Sequence, residues 1–323
     1  MSAQHGRNLA AVGEFGLLEA LTTGLAGGPA VLLGPGDDAA VVLAPDTRVV
    51  ASTDTLVQDR HFRLDRISAV DLGHKSAAVA IADVAAMGAV PTGVLAALSL
   101  PAQTAVDWVL DLSRGIAAEC AVAGAALVGG DLTSADQVVI TVTVLGDLQG
   151  RPPVTRTGAR PGDVVAICGT LGVSAAGLAV QERGVGADWP DLLAGHHRPR
   201  PPYAAGPEAA ILGATALIDV SDGLLADLGH IAEGSRCGVE LRSELLPPEP
   251  RLLAAGELLG VDPMAWVLTG GEDHALVATF PAGLDLPVRW RVVGFVETGP
   301  PVVTVDGRHG AGPAGWDHFA DGP

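Results

Sequence analysis

Acidic residues in this 323-residue chain recur where turns, most of them glycine-bearing, interrupt apolar runs. They are Asp37 and Asp38 in GPGDD, Asp54 in STDTL, Asp131 in GGD, Asp219 and Asp222 in DVSDG, and Glu272 and Asp273 in GGED. Asp83 stands apart, within a stretch of alanine, valine and isoleucine that would strip a carboxylate of water unless it meets a cation or donor. Taken singly, several have an ordinary structural use: Ser221 and Asp222 as helix caps, Asp37 and Asp38 as turn formers. Taken together they point to divalent cations. Glycine beside an acid lets the backbone approach a ligand closely. Magnesium takes oxygen ligands, commonly one or two carboxylates with water and phosphate oxygens. Several acids converging repel one another, so more than one magnesium ion is expected. The chemistry such a set suits is phosphoryl transfer from ATP, which needs charge neutralisation and in-line placement more than a covalent nucleophile.

Other chemistries lack their signatures. There is no G-x-S-x-G, no H-E-x-x-H and no G-x-x-x-x-G-K-[ST], and Lys75 is the only lysine, so a phosphate-loop lysine is excluded. Positive charge must then come from magnesium and arginine. Arg156, in RTGARPGD, is the best-placed arginine, and the GTLG loop at 169–172 is a weak candidate for phosphate. The formal net charge of −18 repels nucleic acid and anionic membrane surfaces. Cys120, Cys168 and Cys237 are far apart, without CxxC spacing, which indicates neither zinc nor a disulfide framework and fits a cytoplasmic setting. The start of the chain lacks the apolar core of a signal peptide. The most apolar stretch, 77–100, is broken by Asp83, Gly88 and Pro91, a poor membrane span.

With 48% hydrophobic and 17% charged residues, the chain can bury two domain-sized cores. Apolar spacing predicts helices over 15–25, 69–87, 105–121, 174–183 and from Leu224 onward. Short apolar runs predict strands at 31–33, 39–43, 49–51, 92–100, 125–128, 138–145, 163–168, 216–220, 266–268, 275–280, 291–296 and 302–305. STDTL and GGD read as loops at strand ends, and HHRPRPPY, 196–203, as an extended connector. A break at QGRPP divides the chain into 1–149 and 150–323. The mixed order of elements predicts an α+β fold of two domains.

In this order, GEFGLLEAL, GPGDDAAVV, STDTLVQDRHF, DLGHKSAAVAIADVAAMGA, LVGGDLT, RTGARPGD, GTLGVSAAGL, HHRPRPPY, IDVSDGLLADLGHIA, LTGGEDHAL and GWDHF resemble the thiamine-monophosphate kinase family of the aminoimidazole ribonucleotide synthetase superfamily. The resemblance runs from residue 13 to 319 and so covers nearly the whole chain. It implies that family's two-domain fold: an N-terminal domain, 1–149, with a mixed sheet and helices, which binds ATP and magnesium and dimerises through its sheet, and a C-terminal α/β sandwich, 150–323, which completes the active-site cleft. It implies transfer of the γ-phosphate of ATP to thiamine phosphate, in a cytoplasmic homodimer, with several magnesium ions and potassium as a further candidate. Asp38, Asp54, Asp83, Asp131, Asp219 and Asp222 would hold magnesium, helped by oxygens of Ser52 and Thr53. Gly130, Asp131, Arg156 and Ser221 would contact ATP. His61, Glu272 and Trp316 would contact thiamine phosphate; the family commonly has tyrosine in place of Trp316. Adenine recognition is left undefined.

Rival readings have weaker support. A selenophosphate synthetase needs a reactive cysteine near the N-terminus, and none precedes Cys120. A hydrogenase-maturation protein of the superfamily ends in a cysteine-bearing tail, whereas this chain ends FADGP. Aminoimidazole ribonucleotide synthetase itself lacks the resemblance carried by STDTL, GGED and GWDHF. A calcium- or magnesium-storing protein would need spacing such as the EF-hand's, which is absent. A metallo-phosphatase would release phosphate without an acceptor.

Overall fold

The computed structural model of the chain describes residues 8–25, 27–35 and 39–309. The chain divides into two compact units, Met1–Val84 with Val90–Gly150, and Ala85–Ala89 with Arg151–Pro323.

In order, the first unit contains α1 (Leu9–Thr22), β1 (Val31–Leu33), β2 (Val41–Val42), β3 (Val50–Val57), α2 (Ala69–Ala86), β4 (Val90–Leu100), α3 (Val106–Ala123), β5 (Ala126–Ser134) and β6 (Val139–Asp147), with the last two residues of α2 grouped in the second unit. β1 and β2 form a small antiparallel pair. The main sheet runs β3-β6-β4-β5, antiparallel except between β4 and β5. Its period of two separates the faces. Ile140, Val142 and Val144 of β6 are buried with Val94, Ala96 and Leu98 of β4 on one face. Thr141 and Thr143 point to the other, where they pair with Thr55 and Thr53 of β3 through their hydroxyls. α2 meets the buried face through Asp83.

Helices α2 and α3 cross with backbones almost touching. A Cβ on Gly73 would lie 2.1 Å from the Leu112 carbonyl oxygen, and one on Gly115 would lie 2.1 Å from that of Val70. Beside this crossing, His74 Nδ1 and Glu119 Oε2 are 2.8 Å apart. The α3 core stripe, Val109, Leu112, Ile116 and Cys120, follows helical spacing, and Gly124 ends the helix with a left-handed φ of 76°.

The second unit contains β7 (Val164–Cys168), α4 (Val173–Glu182), α5 (Pro190–His197), α6 (Ala205–Leu212), β8 (Ala216–Val220), α7 (Leu224–Ser235), β9 (Gly238–Leu241), α8 (Pro250–Leu259), α9 (Pro263–Thr269), β10 (Ala275–Phe280), β11 (Arg291–Glu297), β12 (Val303–Val305) and β13 (Arg308–His309). Its seven strands run β13-β12-β9-β11-β7-β10-β8, antiparallel except between β12 and β9. Both faces of the sheet are buried. Val165, Ile167, Ile218, Val220, Ala275 and Val277 pack with α4, α7, α8 and α9. The alternate residues Ala166, Cys168, Leu217, Leu276, Ala278 and Phe280 pack with α6 and Trp290. This is a sandwich of sheet and helices, as the α+β expectation requires. Among the described residues, no single helix is long and apolar enough to cross a membrane.

Three local expectations are corrected. Residues 266–268, expected as a strand, lie in α9, because Pro263 opens the helix and Asp262 caps it by accepting from the Met264 amide at 2.9 Å. STDTL and GGD, expected as loops, are strand interior in β3 and β5, because serine, threonine and leucine alternate along the pleat as readily as valine. His196 and His197 end α5 rather than begin the extended connector.

An exposed helical glycine gains up to about 1 kcal/mol of helix stability when changed to alanine. Gly115→Ala is expected to do the reverse and lower the unfolding free energy by about 1–3 kcal/mol through overpacking. Urea denaturation measures the sign, and a neutral or stabilising result would mean the helices do not cross at backbone contact.

Candidate functional site

In the first unit the acids divide between the two faces of the sheet. Ser52 and Asp54 of β3 sit opposite Val144 and Val142, on the buried face. There Asp83 of α2 accepts a 2.5 Å hydrogen bond from Ser52 Oγ. Asp54 Oδ2 is buried and has no hydrogen-bond partner. An anionic oxygen out of water without a donor is costly, and a cation is the usual remedy. Thr53, one residue away, turns its hydroxyl to the other face, where it meets Thr143 Oγ1 at 3.0 Å. Its main-chain carbonyl is what it could lend to a metal.

Asp131 pairs in register with Ala97, and Ala97 with Thr141, so it too belongs to the threonine face. β3 and β5 are also the two edges of the sheet. Three strand spacings, about 14 Å, separate them. One chain's sheet therefore does not bring Asp131 to Asp54. Gly130 is required for the close pairing of β5 with β4, since a Cβ there would lie 1.9 Å from the Ala96 carbonyl oxygen. Gly130 and Asp131 border a cavity of about 670 Å³ whose wall includes Leu18 and Leu21 of α1, Leu98 of β4 and Ile116 of α3. Its size and apolar lining are those of a small-molecule site.

His61 follows β3 in a tight turn, its amide donating to the Val57 carbonyl at 2.9 Å. The Val57 amide in turn donates to His61 Nδ1 at 2.9 Å. An accepting Nδ1 places the proton of the neutral ring on Nε2.

In the second unit two loops lie flush. The Glu272 amide donates to the Ser221 carbonyl at 2.8 Å, and that of His274 to Val220 at 2.9 Å. Gly271 permits this, because a Cβ would come within 2.3 Å of the Ser221 carbonyl oxygen. Glu272 and His274 both hold left-handed φ, 63° and 53°, uncommon for such residues and typical of functional turns. Asp219, at the end of β8, is buried with His274 Nδ1 3.0 Å from its Oδ2.

Each loop is also wrapped around a carboxylate. Asp227 Oδ2 accepts from the amides of Ser221, Asp222 and Gly223 at 3.0–3.1 Å. Burial, then the neighbouring charges of Asp219 and Asp222, push its carboxyl up to about 7. Asp273 accepts from the amides of Gly172, Val173 and Ser174 at 2.7, 3.0 and 3.1 Å, which fills the N-terminus of α4. Burial pushes the Asp273 carboxyl up to about 7 against the pull of those amides. The GTLG loop thus serves an internal carboxylate, not a phosphate. The residue at the N-cap of α7 is Gly223, not Ser221 or Asp222, and Asp227 from within the helix gathers the amides of the loop that leads into it.

Arg156 is exposed and lies on the approach to β7, its carbonyl accepting from Ser235 Oγ at 3.4 Å. The neighbouring Thr155 carbonyl accepts from the Leu217 amide, early in β8, whereas Ser221 follows the end of that strand. Among the described residues, no group of three or more histidine, cysteine, aspartate or glutamate side chains is arranged to hold a metal. What the fold does gather is Ser52 with Asp83 on the face that also carries Asp54, and Asp219 and Asp222 around Asp227. Asp38 and Trp316 lie outside the described residues. Sequence reasoning missed Asp227, the acid five residues after Asp222, and the role of Asp273 as a cap.

Two family profiles match the chain: AIR synthase related protein, N-terminal domain, over residues 36–148, and AIR synthase related protein, C-terminal domain, over residues 160–278. The chain is 48% identical over 311 residues to thiamine-monophosphate kinase of Mycobacterium tuberculosis (strain ATCC 25618 / H37Rv), covering 96% of this chain and 92% of that one. It is 39% identical over 293 residues to thiamine-monophosphate kinase of Corynebacterium glutamicum, covering 88% of each. Among solved structures, thiamine-monophosphate kinase from Stenotrophomonas maltophilia K279a matches with a TM-score of 0.78 and 34% identity, over 91% of this chain and 95% of that one. AaThiL complexed with AMPPCP and TMP matches with a TM-score of 0.79 and 31% identity, over 98% and 100%.

Removing the Asp273 carboxylate would leave buried α4 amides without an acceptor. Asp273→Ala is expected to cost about 2–4 kcal/mol of unfolding free energy, more than an ordinary exposed cap. Urea denaturation checks this; a loss below about 0.5 kcal/mol would mean that water reaches those amides.

Proposed function

The chain belongs to the thiamine-monophosphate kinase family of AIR synthase related proteins, and from that premise we propose how its residues carry the reaction. The enzyme transfers the γ-phosphate of ATP to thiamine phosphate, giving thiamine diphosphate and ADP. The observation that carries the metal reading is the buried Asp54 Oδ2, which has no hydrogen-bond partner on the face shared with Ser52 and Asp83. These oxygens, with the Thr53 carbonyl, fit magnesium, a hard cation that takes oxygen ligands. Asp219 and Asp222 offer a second set; burial and then their charges raise the neighbouring Asp227 carboxyl, and a cation would relieve that crowding of negative charge. Asp38 and Asp131 complete the ligands by family resemblance. Magnesium, when bound, supplies neutralisation of phosphate charge and a template for in-line transfer.

The remaining roles fall to this chain's side chains. The adenine enters the 670 Å³ cavity beside Gly130 and Asp131, where apolar walls suit a flat base. The exposed Arg156 guanidinium meets the phosphates and Ser221 contributes a hydroxyl. His61 offers an Nε2–H donor to thiamine phosphate. The Glu272 carboxylate faces its cationic ring system, with Trp316 as an aromatic wall. The acceptor phosphate is largely dianionic at neutral pH, so transfer needs no general base.

A second copy of the chain completes the assembly. The main sheet of the first unit has a threonine face and two edges, β3 and β5. Pairing two such sheets gives those edges a partner and sets β3 of one copy, which carries Asp54, beside β5 of the other, which carries Asp131.

Purified protein with ATP, magnesium and thiamine phosphate is expected to form thiamine diphosphate and ADP in equal amounts, and a chelator to abolish both. A folded protein that makes neither would overturn the activity. Asp54→Asn and Asp222→Asn are each expected to lower turnover by at least a thousandfold with the fold retained. Magnesium is expected to raise the melting temperature of the wild type and to raise that of Asp54→Asn far less. Wild-type turnover in either variant would remove that residue from the metal site.

A further inference from the structure

His196 is one of the histidines that the reaction scheme above leaves unused, and it is buried beside a candidate substrate residue. It occupies the last turn of α5, only 8% exposed. Its Nδ1 lies 3.0 Å from Ser174 Oγ and 3.7 Å from Glu272 Oε2. Its backbone is fixed where α4 and α5 touch: a Cβ on Gly177 would come within 2.8 Å of His196 Cβ and 2.2 Å of the Leu192 carbonyl oxygen. Ser174 is itself pinned, since its amide donates to Asp273, the residue next to Glu272. Glu272 carries a left-handed φ of 63° and a side chain 36% exposed, so its main chain is held and its carboxylate reaches solvent.

We propose that His196 is a positioning residue for Glu272. With the ring proton on Nδ1, it faces two acceptors, the Ser174 hydroxyl and the Glu272 carboxylate, and limits the directions that carboxylate can take. A carboxylate fixed before the substrate arrives loses less rotational freedom when it meets a cation. His196 therefore acts on binding of the cationic acceptor and not on ATP. The inference rests on the reading of Glu272 as a contact to thiamine phosphate.

Steady-state kinetics with each substrate varied in turn separates the two. His196→Ala is expected to raise KM for thiamine phosphate about tenfold and to leave kcat and KM for ATP within twofold. His196→Asn, whose amide nitrogen can stand where Nδ1 stands, is expected to restore most of that loss. In a Glu272→Gln background, His196→Ala is expected to change KM for thiamine phosphate less than twofold. Melting temperatures identify any variant that is simply misfolded. Ser174→Ala, which removes the other partner of Nδ1 and keeps the helix, is expected to raise the same KM by a smaller factor. Fully additive effects of His196→Ala and Glu272→Gln, or an equal rise in KM for ATP, would overturn the inference while leaving Glu272 in place. If Glu272→Gln alone leaves KM for thiamine phosphate unchanged, the reading of Glu272 fails and the positioning role with it.

Discussion

A buried carboxylate with three backbone amides closed around it sets the geometry of the second unit. Asp273 lies within the N-terminus of α4, where the unpaired amides of a helix carry roughly half a positive charge. An anion could not be buried there without them. The consequence spreads outward along the chain. Glu272 is the preceding residue, so its left-handed backbone is held from one side by Asp273 and from the other by the hydrogen bond its amide donates to the Ser221 carbonyl. Ser174 joins the same N-terminus and presents its hydroxyl to His196. Asp227 repeats the device on the facing loop, gathering the amides of Ser221, Asp222 and Gly223. Two loops whose side chains matter for the proposed chemistry are therefore shaped by carboxylates that take no part in it.

That arrangement bears on where positive charge for a phosphate can come from. Helix N-termini often bind phosphate through free amides. Here the amides of Gly172, Val173 and Ser174 at the start of α4 are already taken by Asp273, and those of the loop leading into α7 by Asp227. Lys75, the single lysine, is buried within α2. An exposed arginine such as Arg156 remains, in a chain of net charge −18. Net negative charge of this size disfavours the approach of a triphosphate. Divalent cations held by the carboxylates would reverse the local field. The proposed magnesium would in this way reconcile the acidity of the chain with a triphosphate substrate.

Much of this was legible in the residues, and what was not has physical causes. The long helices and most strands follow from apolar periodicity, which fixes α2, α3, β4 and β10 within a few residues. The acidic loops of the second unit could be read because glycine neighbours mark turns. In the first unit the same reasoning misplaced Asp54 and Asp131 at strand ends, since a serine–threonine run looks like a loop until its alternation is matched to a partner strand. Residues 266–268 carry β-favouring side chains, and only the Asp262–Pro263 start, outside that run, makes them helical. The use of Asp273 and Asp227 as caps could not be read from spacing, because one acts across about a hundred residues and the other bends back on its own helix. Distances between side chains of non-adjacent elements, such as His196 and Glu272, belong to tertiary packing and carry no local signal.

The alternation in β3 has a further consequence. Ser52 and Asp54 face the buried side and Thr53 and Thr55 the other, so one strand serves two purposes that its period of two keeps apart. The hydroxyl pairs Thr53–Thr143 and Thr55–Thr141 fix the register of β3 on β6, and that register alone aims Asp54 at the face Asp83 occupies. A slip of one residue would turn the acid onto the threonine face and the threonines into the core. Because Asp131 sits on that threonine face at the far edge of the same sheet, the register also decides that its partner acids lie elsewhere. Under the proposed pairing of two sheets, the far edge of one copy becomes the neighbour of β3 in the other. The threonine ladder would then do two things at once: hold the metal-facing acid of its own chain in place and offer the opposite face, with its own Asp131 at the far edge, to the second copy.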